Sequence, residues 1–237
     1  MKTITFVILL AMTNTFSGIV SAQDSGISGA WKMTSGSSEN SLIIEDGFFF
    51  HTNYSVNPKN FIFSQGGTYT LSGKNIKAKF YFNTESKDRV GEELDVIYNL
   101  EKDNLTLAIG GEKQVWKRVD KGEGKLAGIW RITGRMQDGK VTSIHQTGAR
   151  QTYKILSGTR FQWAAINPET KEFSGTGGGT YTFENGKYTE KIEFFSRDNN
   201  RAGASLSFDG KIENGQWHHS GLSSKGDKIY EVWSRAK

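Results

Sequence analysis

The sequence predicts an all-β protein built as two small antiparallel up-and-down barrels in tandem. Residues 177–195 hold two runs of alternating polar and apolar residues on either side of Asn185-Gly186. That pattern is the strongest short-range signature of a tight β-hairpin. Moving back 112 positions from Gly178 reaches Gly66-Gly67-Thr68-Tyr69-Thr70-Leu71-Ser72-Gly73, followed by Ile76, Ala78, Phe80 and Phe82, so the hairpin is written twice. Composition agrees: among 237 residues there are 28 Gly, 12% aromatics and only 2 Pro. Such a mixture suits many short strands joined by tight turns.

Residues 1–22 read as a secretory signal peptide. Lys2 precedes an apolar run from Ile4 to Met12, and Val20-Ser21-Ala22 places small residues before a cut at Gln23. The run is too short and too interrupted to span a bilayer. With no Cys in the chain, neither a disulfide nor a lipid-modified cysteine is possible. The expectation is a secreted or periplasmic protein held together by packing alone, a bacterial periplasm or medium fitting best. From Asp24 to Lys121 there are 12 basic and 13 acidic residues, and from Gly122 to Lys237 there are 17 and 12. The basic residues of the second half are scattered singly, which argues against nucleic-acid binding.

The first unit, 27–120, opens with Gly29-Ala30-Trp31-Lys32-Met33 and closes with Val115-Trp116-Lys117-Arg118. The second, 126–237, opens with Gly128-Ile129-Trp130-Arg131-Ile132 and closes with Val232-Trp233-Ser234-Arg235. Between them, Leu42-Ile43-Ile44 before Asp46-Gly47 matches Tyr153-Lys154-Ile155 before Ser157-Gly158. Phe48-Phe49-Phe50 with Asn57-Pro58 matches the Arg160–Trp163 stretch with Asn167-Pro168. After the hairpin, Leu100-Glu101 matches Ile212-Glu213, and Leu105-Thr106-Leu107 matches Trp217-His218-His219. Length differences fall at turns, near Asp138-Gly139, over 169–173 and over 223–227, where a repeated closed sheet tolerates insertion. The join Asp120-Lys121-Gly122-Glu123-Gly124-Lys125 is so short that the units must share a contact surface.

The unit ends carry a family likeness. Gly29 and Trp31 with Arg118, and Gly128 and Trp130 with Arg235, resemble the Gly-x-Trp and closing Arg of the lipocalin (calycin) superfamily. In that family the cation covers the indole and ties the last strand to the first. From about Tyr153 to Lys237 the chain is also similar to lipocalin-like domains of uncharacterised exported bacterial proteins. The residues that carry this likeness are an Asn-Pro turn, Gly177-Gly178-Gly179-Thr180-Tyr181-Thr182, Trp217-His218-His219-Ser220-Gly221 and Glu231-Val232-Trp233-Ser234-Arg235. The first unit keeps the hairpin but not the histidine strand. The resemblance implies the fold and transfers no activity.

Alternation places Tyr188, Glu190, Ile192 and Phe194 on one inward face. Glu190 would then be a carboxylate among aromatics, costly unless paired, where the first unit has Ala78. It either lies near a barrel mouth, solvated or paired with a Lys or Arg, or fixes a ligand inside. His219 shares a face with Trp217, and His218 points the other way, so the two cannot bind one metal from one side. With only His51, His145, His218 and His219 in the chain, no metal site or cofactor is read. Phe161 and Trp163, Tyr181 and Phe183, and Tyr188 and Phe194 form stripes on neighbouring strands that are either core filling or a pocket wall. Gly177-Gly178-Gly179 enters a strand, which suits a bulge or close approach rather than a phosphate loop.

Three functions follow. The first is an exported, non-enzymatic binding protein whose second barrel holds a small hydrophobic ligand, through Phe161, Trp163, Tyr188, Glu190, Phe194, Trp217 and His219, with the first barrel as structural partner. The second is a protein–protein interaction module with solid cores. The third is an enzyme using Glu190 and His219 as an acid–base pair.

Overall fold

A computed structural model describes residues 26–144, 148–223 and 226–236. The signal-peptide reading of residues 1–22 and His145 lie outside the described residues. The first half forms β1 (Gly29–Ser35), β2 (Ser38–Glu45), β3 (Phe48–Val56), β4 (Lys59–Ser72), β5 (Asn75–Asn83), β6 (Glu93–Glu101), β7 (Asn104–Ile109) and β8 (Glu112–Asp120). These close into one antiparallel barrel by pairing β1 with β8. The second half forms β9 (Gly128–Gln137), β10 (Lys140–Ser143), β11 (Gln151–Leu156), β12 (Arg160–Asn167), β13 (Glu172–Glu184), β14 (Lys187–Phe195), β15 (Ser205–Glu213), β16 (Gln216–Leu222) and β17 (Lys228–Arg235). It closes through β9 and β17. Strands β10 and β11 together take the place of β2: β11 pairs with the first half of β9 and β10 with the second. The all-β tandem of barrels is therefore the fold.

Each barrel is plugged at one end in the same way. Trp31 Nε1 donates to the Ile27 carbonyl at 2.9 Å, and Trp130 Nε1 to the Leu126 carbonyl at 2.8 Å. The Arg118 guanidinium lies 4.0 Å from the Trp31 ring centroid and that of Arg235 lies 3.9 Å from Trp130. Both arginines also donate to carbonyls of the segment entering β1 or β9. A Cβ at Gly128 would come within 1.9 Å of Arg235 Nη1, so only glycine lets the guanidinium settle there.

The glycine hairpins each contain a β-bulge. Gly178 faces Phe194 while Gly179 faces Ile192, leaving Glu193 as the extra residue; Gly66 and Gly67 do the same around Tyr81. A Cβ on Gly179 would sit 2.0 Å from the Lys191 carbonyl oxygen, and on Gly67 1.9 Å from that of Lys79. An extra residue on one strand resets the alternation. Tyr188, Glu190 and Ile192 point into the barrel, but Phe194 does not. It packs against Tyr54 and Phe61 of the first barrel, with ring centroids 5.1 and 6.5 Å away. The expectation that Phe194 belongs to the interior is corrected, and Phe195 takes the inward place beside Trp163. Phe82, its counterpart, is turned into the same inter-barrel layer.

That layer contains Ala30, Ile43, Phe48 and Phe50 from one barrel and Ile129, Ile155, Ala164 and Ile166 from the other. Polar contacts lock its edges. Gln162 Nε2 donates to Ser64 Oγ at 2.8 Å, and Glu193 accepts from Tyr54 Oη at 2.6 Å and from Arg160. At the join, the Asp120 carboxylate accepts from the backbone N–H groups of Gly122, Gly158 and Thr159 and from the hydroxyls of Ser157 and Thr159.

Register also corrects one match between the copies. Trp31 faces Leu42 and Trp130 faces Lys154, so Lys154 is the counterpart of Leu42, not of Ile43. A one-residue shift in a strand exchanges its two faces.

Removal of the ring at Phe194 (Phe194→Ala) is expected to lower stability by about 3–5 kcal/mol, the usual cost of emptying a buried aromatic site. Because the ring joins the barrels, calorimetry should show the two barrels melting as separate transitions. An undiminished single transition would count against the interface role.

Candidate functional site

The second barrel is filled at its plugged end and hollow at the other. Trp130, Phe161, Tyr188 and Trp217 are each 0–1% exposed and form the filled layer. Above them is an open cavity of about 670 Å³ whose wall includes Trp163, Ile192, Phe195 and Leu206. Its floor carries Lys154, Glu190, His219 and Glu231. Of the residues singled out in the sequence, Trp163, Glu190 and His219 thus line the cavity. Phe161, Tyr188 and Trp217 support it from below, and Phe194 lies outside.

Glu190 is held by a partner that sequence reasoning missed. Lys154 Nζ donates to Glu190 Oε1 at 2.8 Å, both side chains being 6% exposed. Tyr188 Oη donates to the same oxygen at 2.9 Å. Burial, then the Glu190 charge, pushes the Tyr188 hydroxyl well above the usual tyrosine range, so it stays a donor. The Lys154 ammonium lies 5.7, 5.2, 5.3 and 5.1 Å from the ring centroids of Phe161, Tyr188, Trp217 and Trp233. Those distances fall inside the range where a ring quadrupole attracts a cation.

His219 is 3% exposed and lies against the rings of Tyr188, Phe208 and Trp217. Its Nε2 makes no hydrogen bond among the described residues. Its Nδ1 is 3.5 Å from Glu231 Oε2, a near approach, while that oxygen accepts from Trp233 Nε1 at 3.2 Å. Burial holds the imidazole below its usual pKa, partly offset by Glu231. Burial would raise the Glu231 carboxyl, but His219, Lys154 and Arg135 outweigh it and hold it below the carboxylate range. The floor therefore carries the Lys154–Glu190 ion pair, a second acid held down by its neighbours, and an imidazole whose protonation burial disfavours. No hydrogen bond joins Glu190 to His219. His218 points away, as alternation requires, its Nδ1 2.9 Å from Tyr230 Oη.

The first barrel answers each of these residues with an uncharged one. Register equates Lys154 with Leu42, Glu190 with Ala78, His219 with Leu107 and Glu231 with Gln114. Those four line a smaller cavity of about 110 Å³, together with His51 and Gln65. The first barrel is thus not solid. His51 Nε2 is 3.0 Å from Asn40 Oδ1 and Nδ1 is 3.3 Å from Gln65 Nε2, and burial pushes its pKa down to about 4. Trp163 is the counterpart of His51 and Gly177 of Gln65, since Leu42 faces His51, Lys154 faces Trp163, and those residues face Gln65 and Gly177. A Cβ on Gly177 would come within 2.9 Å of Trp163 Nε1, so this glycine makes room for the indole in the cavity wall.

The mouth carries basic residues that the sequence did not single out. Arg135, Arg150, Arg197, Arg201 and Lys228 line it. They come from β9, β17 and the segments before β11 and after β14, so only the closed barrel brings them together. The signal that could have found Lys154 was a lysine in the strand pairing with the Gly-x-Trp strand, in the register that puts it opposite Trp130. Compared with known proteins, the chain matches no family model and no curated protein sequence.

Breaking the buried pair from one side by Glu190→Gln should destabilise the fold by about 3–5 kcal/mol, because Lys154 is left without a counter-charge. The double substitution Lys154→Leu with Glu190→Ala installs the first barrel's residues and should recover most of that loss in urea titrations. A double variant no more stable than Glu190→Gln would refute the pairing.

Acid should act through His51. In the folded state it stays neutral down to about pH 4, whereas the unfolded chain takes up its proton near 6.5. Its stabilisation is fully present above pH 6.5 and is lost as pH falls toward 4, by about 2 kcal/mol between pH 7 and 5. Glu45 acts in the opposite sense: burial, then Asp46 and Asp120, push it up to about 8, so its contribution is lost as pH rises from 4.5 toward 8. The Glu45 gain between pH 7 and 5 offsets the His51 loss, so urea midpoints at the two pH values should lie close together in the parent, whereas in His51→Gln the pH 5 midpoint should rise above the pH 7 one. The same pH response in parent and variant would rule out the His51 contribution.

Proposed function

We propose that the protein is an exported binding protein whose second barrel holds a small, mostly apolar molecule. The observation that carries this reading is the open cavity of about 670 Å³, walled by Trp163, Phe195, Ile192 and Leu206. Small-molecule sites occupy roughly 300–1,000 Å³, with apolar walls and a few placed polar groups. His219 supports the same reading, since its buried Nε2 makes no hydrogen bond among the described residues and is costly until something polar reaches it. Export, to the periplasm or outside the cell, rests on the signal-peptide pattern of residues 1–22. The tandem barrel is compatible with a lipocalin-like family whose members close an up-and-down sheet around a ligand. The first barrel's smaller cavity of about 110 Å³ supports the reading of that barrel as the structural partner.

The reading is tested with the uncharged fluorophore phenylnaphthylamine. Saturable enhancement at one molecule per chain is expected, together with quenching of tryptophan emission through Trp163. Ala165 is 7% exposed and lines the cavity, so Ala165→Phe should weaken binding at least tenfold. Leu206→Trp, at a half-buried wall position, supplies a second filling variant. No saturable binding, or binding unchanged in both variants, would overturn the reading.

A further inference from the structure

The charge of the cavity says what kind of molecule it takes. Six cationic side chains line it (Arg135, Arg150, Lys154, Arg197, Arg201 and Lys228) against two carboxylates, Glu190 and Glu231. The equivalent cavity of the first barrel has no charged residue in its wall. The excess is therefore a property of this cavity and not of the repeat.

Not all six cations are open to a ligand. Lys154 is neutralised on the floor by Glu190 at 2.8 Å. Arg135 pairs with Glu231 at 3.2 Å, and Arg201 lies 3.6 Å from Asp198. Arg150, Arg197 and Lys228 have no carboxylate partner among the described residues. All three are exposed at the mouth, and Arg197 is steadied by donating from Nε to the Ser174 carbonyl at 2.7 Å. Below them the wall is apolar, and deeper still His219 presents a buried Nε2 that makes no hydrogen bond among the described residues. The cavity thus runs from unneutralised positive charge at the mouth, through an apolar wall, to a compensated polar floor.

We propose that the second barrel selects an amphipathic anion, its apolar body against Trp163, Ile192 and Phe195 and its carboxylate or sulfonate among Arg150, Arg197 and Lys228. This rests on the reading of the second barrel as a binding site. The acidic group stays at the mouth because a second anion on the floor would face Glu190 and Glu231, whereas the mouth cations gain a counter-charge without being buried. A hydroxyl or carbonyl in the body of the ligand would meet His219.

Two probes that differ by one charge make the test. Anilinonaphthalene sulfonate is phenylnaphthylamine with a sulfonate added. The sulfonate is expected to bind at least tenfold tighter at low ionic strength. The preference should collapse in the double variant Arg150→Ala, Lys228→Ala, and on raising salt to about 1 M, where the Debye length falls to ~3 Å. The neutral probe should change less than about twofold in either case. Both substituted residues are exposed and outside the hydrogen-bonded frame, and matching thermal unfolding of variant and parent confirms that the fold is kept. Equal affinity for the two probes, or a preference that survives the double substitution, would overturn the anion selectivity while leaving the binding reading in place. Failure of both probes to bind would instead overturn the binding reading.

Discussion

An ammonium and a carboxylate lie 2.8 Å apart inside a closed barrel, and the second half of the molecule is organised by that fact. Neither charge could be there alone. Removing either ion from water costs several kcal/mol, and only a close, well-hydrogen-bonded partner returns a comparable amount. The barrel supplies that setting with unusual completeness. Tyr188 donates to the carboxylate, and four aromatic rings surround the ammonium at 5.1 to 5.7 Å. The net effect on stability is small by the general behaviour of buried pairs. Its effect on shape is larger, because a charged pair fixes where the packed layer stops and the cavity begins.

The tandem repeat provides an internal comparison. Both barrels have the same plug of Trp and Arg, the same glycine bulge and the same facing strand positions. At Leu42, Ala78, Leu107 and Gln114 one barrel has an uncharged set around about 110 Å³; at Lys154, Glu190, His219 and Glu231 the other has a charged set around about 670 Å³. Gly177 in place of Gln65 and Trp163 in place of His51 change the wall as well. The strand frame around these positions is common to the copies, although β10 and β11 replace β2, so the difference in floor chemistry is a difference of side chains. The inter-barrel layer is also built from repeated positions, Ala30 with Ile129 and Ile43 with Ile155.

How much of this was legible follows from how local each cause is. The Asn185-Gly186 turn, the repeated hairpin and the Gly-x-Trp with its closing Arg are short-range or sterically enforced, and they placed the two barrels. The glycine run was readable as a bulge site. Its consequence was not, because the residue that the bulge displaces, Glu193, is identified only by register, and without it Phe194 stays on the wrong face. Lys154 was hidden by a similar slip. Matching Gly47 with Gly158 aligns the strands one residue out, whereas the backbone equates Gly47 with Thr159, whose carbonyls accept from Tyr69 and Tyr181 respectively. Glu190 stood out because it lies beyond the hairpin, where the copies align without a gap. The mouth cations were illegible for a different reason. They are dispersed along the chain from Arg135 to Lys228, and nothing short of barrel closure makes them neighbours.

The most direct test of the account is to locate the bound anion by chemical-shift mapping. Isotope-labelled protein would be titrated with anilinonaphthalene sulfonate and followed through backbone amides, the tryptophan indoles and the histidine rings. The account predicts the largest changes at the Trp163 indole, at His219 and at the amides of Arg150, Ile192 and Phe195, with the first barrel unmoved. Changes centred on the first barrel, or on the inter-barrel groove lined by Tyr54, Lys59 and Lys191, would contradict it.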